Sequence, residues 1–133
     1  MKLILCLVFA LSFSKDNFTE FNKYIQKGDL KKAEKILNNW DGDKLNDPQY
    51  YICQFNFYVN KGRTIGIQIQ KEPPNEERTI QITDPKTGEV KGYFGPGVHY
   101  DEDIVSKGIE YIKKGIKKFP DHFEMRFGLM WCY

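Results

Sequence analysis

The residues with the most evident chemical capacity are His99, Asp101 and Asp103, an imidazole and two carboxylates within the run His99-Tyr100-Asp101-Glu102-Asp103. Such groups bind divalent metals, and with or without an ion they move protons in hydrolysis. Their spacing favours a plainer role. No two of them stand at a characteristic metal-ligand spacing, and the acids immediately precede a helix that the sequence starts near Ile104. Asp101 or Asp103 as the N-cap of that helix accounts for them without a metal, because its dipole favours carboxylates there. The other histidine, His122, follows Pro120-Asp121 at the opening of the last helix and reads as a capping or packing residue.

Cys53 and Cys132 would pair only if the chain meets an oxidising compartment and their helices face each other closely. Two buried free thiols are the reading that their apolar surroundings favour. No Gly-x-Ser-x-Gly motif and no phosphate-cradling glycine loop occur,. Lys113-Lys114 and Lys117-Lys118 lie opposite Ile109, Ile112 and Ile116 near a helix C-terminus, where cations are favoured, so they read as a solvated face,. Twenty Lys and Arg against eighteen Asp and Glu leave a net charge of only +2, too little for binding driven by nucleic-acid phosphates,. No cofactor is implied.

These residues need elements to hold them, and not all 133 belong to the fold. Residues 1–14 have one Lys at position 2, an apolar run from Leu3 to Leu11 and small residues spaced for cleavage, the pattern of a secretory signal peptide,. The run is well short of the roughly 20 residues of a membrane-spanning helix. The expectation is an exported domain, periplasmic or secreted, over residues 15–133, or a cytoplasmic one if residues 1–14 are kept.

The domain is organised by an internal repeat. Phe21-Asn22-Lys23-Tyr24-Ile25-Gln26-Lys27-Gly28 returns 34 residues later as Phe55-Asn56-Phe57-Tyr58-Val59-Asn60-Lys61-Gly62, with five of eight positions identical. A period of 34 is that of a helix–turn–helix unit whose helices cannot bury their apolar faces alone. Leu30, Ala33, Leu37 and Trp40 form the inner stripe of the helix after Gly28-Asp29, and Asp47-Pro48 opens the next, with Tyr51, Phe55 and Tyr58 facing inward,. Repeat 1 spans about residues 15–48 and repeat 2 about 49–120. Residues 121–133 read as the first helix of a third.

The second unit is interrupted. Ala33 maps onto Gly108, so residues 63–103 are an insertion of 41 residues, which holds four of the six prolines and five of the eleven glycines. Thr64–Gln70 alternates Ile65, Ile67 and Ile69 on one face, and Thr79–Thr83 alternates Ile80 and Ile82,. Asp84-Pro85-Lys86-Thr87-Gly88 is turn chemistry leading into Glu89–Phe94,. The expectation is a β-hairpin over 79–94, extended by 64–70 into a small antiparallel sheet, with Gly95-Pro96-Gly97 as a break. The fold class is therefore mainly α, helical hairpins of a solenoid fragment with an inserted β element.

The pattern Tyr51, Tyr58, Gly62, then Gly108, Ile112, Gly115 and Pro120, resembles the tetratricopeptide repeat, over roughly residues 15–62 and 103–133. Repeat 1 departs from it, with Trp40 where a small residue is usual and Pro48 three residues late. The likeness extends to uncharacterised exported bacterial repeat proteins. It implies a concave face, formed by the first helices, that binds a protein or extended peptide. By position that face carries Phe18, Asn22, Ile25 and Gln26, then Ile52, Asn56, Val59 and Asn60. Asn22, Gln26, Ile52, Asn56 and Asn60 are the candidate contacts. Phe18 and Ile52 stand where a carboxylate-clamping lysine would be, so that clamp is not implied. The leading reading is a non-enzymatic, exported binding module. The alternatives are a hydrolytic or metal-dependent activity around His99, Asp101 and Asp103, and a non-functional fragment of a longer array, whose uncovered last helix would self-associate.

Overall fold

The computed structural model describes residues 16–73, 79–130 and Cys132. The expected leader at 1–14 and the expected repeat position Tyr133 lie outside the described residues. Among the described residues, five α-helices and three strands follow in the order α1 (Asn17–Gln26), α2 (Leu30–Asn38), α3 (Pro48–Gly62), β1 (Arg63–Gln70), β2 (Ile80–Thr83), β3 (Val90–Tyr100), α4 (Glu102–Lys118) and α5 (Phe123–Met130). The chain is thus mainly helical, with a three-stranded antiparallel sheet inserted between α3 and α4.

Each of the first four helices starts on an aspartate. Asp16, Asp29, Asp47 and Asp101 accept backbone N–H bonds from Phe18, Lys32, Gln49 and Ile104, which satisfies donors that the helix cannot,. Pro48 in the first turn of α3 has no N–H to leave unpaired there,. Gly28 adopts φ +70° after α1, the left-handed conformation that lets the chain reverse into α2,.

Positions related by the repeat are buried alike. Phe21 and Phe55, Ala33 and Gly108, and Leu37 and Ile112 are all buried. One core joins α1, α2 and α3 around Phe21, Leu37, Tyr50, Cys53 and Phe57, and a second joins α3, α4 and α5 around Phe55, Ile112 and Met125. Gly108 and Gly115 bring α4 against α3. A Cβ at Gly108 would lie 3.0 Å from Tyr58 Cβ, and one at Gly115 would lie 2.8 Å from Tyr51 Cβ. Between these contacts Tyr58 and Tyr111 stack at 5.8 Å.

Two local expectations are corrected. Trp40 does not continue the α2 stripe, because α2 ends at Asn38. The indole is buried beyond the helix end, held by its Nε1–H donating to Asp47 Oδ2 at 3.0 Å. Gly95-Pro96-Gly97 does not break the sheet, and β3 runs through it to Tyr100 with Pro96 opposite Ile67. Proline is tolerated there because β2 pairs with β3 only as far as Ile80 opposite Phe94, leaving this stretch with a neighbour on one side,. Helix α4 starts at Glu102, near the expected Ile104, and of the two expected caps Asp101 serves.

Candidate functional site

The first helices of the successive units, α1, α3 and α5, carry the candidate surface. α1 packs on α3, and Gly128 of α5 sits over the Phe55 ring of α3, where an added Cβ would be 3.3 Å from Cε1. At the N-terminal ends of α3 and α5 lies an open depression of about 530 Å³, lined by Phe18, Asp47, Pro48, Gln49, Ile52, His122 and Glu124. A second, of about 370 Å³, follows α1 past Phe18, Thr19, Asn22, Lys23, Gln26 and Lys27. Phe18 lines both, so the two adjoin.

The candidate contacts divide between these features. Ile52 lines the first depression, and Asn22 and Gln26 line the second. Asn56 and Asn60 line neither and lie further along α3. The Asn60 side chain donates to the Asn56 backbone carbonyl at 2.8 Å, one turn back on its own helix. Residues the sequence did not place here are Gln49, one turn before Ile52 on α3, and His122 and Glu124, which the packing of α5 against α3 brings beside Ile52. His122 Nδ1 stands 3.6 Å from Glu124 Oε2, and its ring meets Phe119 edge-on at 6.0 Å. The only sequence signal was Pro120, which turns the chain back just before His122.

The alternative site does not assemble as a cluster. His99 is exposed on β3, and Asp101 spends Oδ1 on the α4 cap. Asp103 is exposed in the first turn of α4, where its backbone carbonyl accepts from Ser106 Oγ. Among the described residues, no three His, Cys, Asp or Glu side chains converge as a metal site.

Cys53 and Cys132 are both free thiols, Cys53 buried and Cys132 half-buried beyond the end of α5. Burial pushes both above the usual thiol range, Cys53 furthest, so neither is an activated nucleophile,. The basic end of α4 is exposed, with Lys114 and Lys118 lying over the Tyr111 and Phe119 rings at 5.6 and 5.9 Å. Among the described residues, no helix is long and apolar enough to cross a membrane.

The chain matches no family model, no curated protein and no solved structure. What the fold defines is a mainly helical domain with an inserted antiparallel sheet.

Proposed function

We propose that the chain is a non-enzymatic binding module of tetratricopeptide-like construction that takes an extended peptide across α1, α3 and α5. The observation that carries this reading is the adjoining pair of depressions that share Phe18. An extended peptide presents side chains alternately and leaves its backbone amides in need of partners. The apolar walls of Phe18, Pro48 and Ile52 suit one anchoring side chain, while the Asn22 and Gln26 amides, each both donor and acceptor, suit the peptide backbone,. Asn56 and Asn60 belong to the same reading at the far end of α3, where a longer ligand would reach them. The close packing of Gly108 and Gly115 against α3 supports the likeness to the repeat family. Export follows from the sequence of residues 1–14,, and N-terminal sequencing of the chain recovered from its native host checks it.

Selection from a displayed peptide library, followed by titration of the selected peptide, tests the surface. Ile52→Glu and the pair Asn22→Ala with Gln26→Ala should each weaken binding about tenfold or more, since one charge in the pocket or two lost hydrogen bonds cost at least ~1.4 kcal/mol. Lys117→Glu, on the exposed end of α4, should leave it unchanged. Equal affinity for all variants would remove this face from consideration.

A further inference from the structure

The inserted sheet has two unlike faces. Antiparallel register sets Ile65 opposite Val98, and both Ile69 and Ile80 opposite Phe94, so these side chains share one face with Ile67,. The strand alternation sends Gln68, Gln81 and His99 to the other,. There the Gln68 side chain folds across Gly97 and Gln70 Nε2 donates to the Pro96 carbonyl at 3.3 Å.

The aliphatic face is uncovered. Ile65, Ile67, Ile69 and Ile80 are 67–70% exposed, and Phe94 and Val98 about 40%. The strands pack principally on one another and not on the helices. A small sheet in water ordinarily needs its apolar face packed against something to be stable.

We propose that this face is the interface of a homodimer, in which two copies stack their sheets face to face about a two-fold axis. The area argues for it. Four of the six are about two-thirds exposed and two about 40%, an apolar patch at the upper end of the ~300–600 Å² that an ordinary monomer carries and approaching the ~800 Å² per partner of a stable complex. The composition argues for a second copy in particular. The middle of the face is uncharged, with Arg63 at its end opposite Tyr100, so it offers an oppositely charged partner little to recognise, while an aliphatic sheet face packs well on another like it at about 10 Å,. Every copy of the chain supplies that partner, and two-fold dimers are the commonest assembly. This interface is separate from the peptide surface on α1, α3 and α5.

Sedimentation of the full chain between about 1 and 100 µM reads the association, for which an interface of this size gives a dissociation constant on the order of micromolar or tighter. The native chain should be dimeric at the upper end. Ile67→Lys should weaken the dimer at least tenfold, and Gln68→Lys, the next residue on the opposite face, should not. Ile67→Thr keeps a β-branched residue that suits the strand, and should also weaken the dimer several-fold even if the lysine unfolds the sheet. A native chain that stays monomeric at the highest concentration overturns the proposal, as does equal weakening by the Ile67 and Gln68 variants. A native monomer that co-floats with phosphatidylcholine vesicles, and loses this with Ile67→Lys, overturns it in favour of a membrane-facing sheet.

Discussion

The backbone amide of Asp101 donates to the carbonyl of Gly62 at 2.9 Å, so the sheet leaves the helical chain and rejoins it at one point. Gly62 ends α3 and Asp101 caps α4, and a Cβ on Gly62 would lie 3.0 Å from Val105 Cγ2 and 3.3 Å from the Asp101 carbonyl oxygen. The two helices therefore meet as tightly as if a short turn joined them. The helical core and the sheet are two structures sharing one junction.

Replacing residues 63–100 by a two-residue Asn-Gly link should then leave the helices folded. Helical circular dichroism per molecule should be kept. The unfolding free energy from urea titration should stay level or rise, by up to ~2 kcal/mol, because the chain closes a much shorter loop. Loss of cooperative unfolding would show that the sheet supports the core.

Gly115→Ala should destabilise the fold. The new methyl would stand 2.7 Å from Met125 Sδ and 2.8 Å from Tyr51 Cβ, and although the thioether can shift, the Tyr51 Cβ is fixed to the α3 backbone. Overpacking of about 1–3 kcal/mol outweighs the ~1 kcal/mol that alanine gains in helix propensity, with the difference read from urea unfolding. Gly66→Ala, which meets nothing within 4 Å, should change stability by no more than about 0.5 kcal/mol,.

Asp47 does two jobs. Oδ1 accepts from Gln49 N at 2.9 Å to cap α3, and Oδ2 accepts from Trp40 Nε1 at 3.0 Å. Asp47→Ala should cost roughly 2 kcal/mol, the sum of a lost cap and an indole N–H left without its acceptor. In a Trp40→Phe background the same change should cost about 1 kcal/mol less, because only the cap is then lost. Equal costs in both backgrounds would show that the indole bond contributes nothing.

Stability should fall in alkali. Burial raises the Cys53 thiol far above its ordinary 9.0, and raises the Tyr51 and Tyr111 hydroxyls above 10.0. The folded state therefore holds these protons after the unfolded chain has released them, so stability is complete below about pH 9 and declines as pH rises above it. Cys53→Ala should remove most of the first part of that decline, between pH 9 and 10, with Cys132 leaving a smaller remainder, though the lost sulfur lowers stability at every pH. A pH series of urea midpoints reads both effects.

The helices were legible because their signals are local. Aspartate before an apolar stripe, Gly28 after one and proline in a first turn each act through the nearest few peptide groups, so spacing along the chain specifies them. The repeat was legible for a related reason. Two segments that bury the same positions keep the same side chains, and Phe21 and Phe55 do so 34 residues apart. Strand alternation at Ile65, Ile67 and Ile69 was equally plain. Trp40 and Pro96 were misread because each is settled by a distant partner, Asp47 in one case and the end of β2 in the other.

Sequence by itself determined the elements, their order and the two-sidedness of the sheet, since capping, periodicity and turn chemistry are written in neighbouring residues. Tertiary structure alone decided that Gly62 meets Asp101, that His122 and Glu124 join Ile52 around one depression, and that the aliphatic side of the sheet faces outward. Alternation shows that a strand has an apolar face but not what lies against it. That depends on where the chain places its other elements in space, and here the helices bury their stripes against each other and leave the sheet outside.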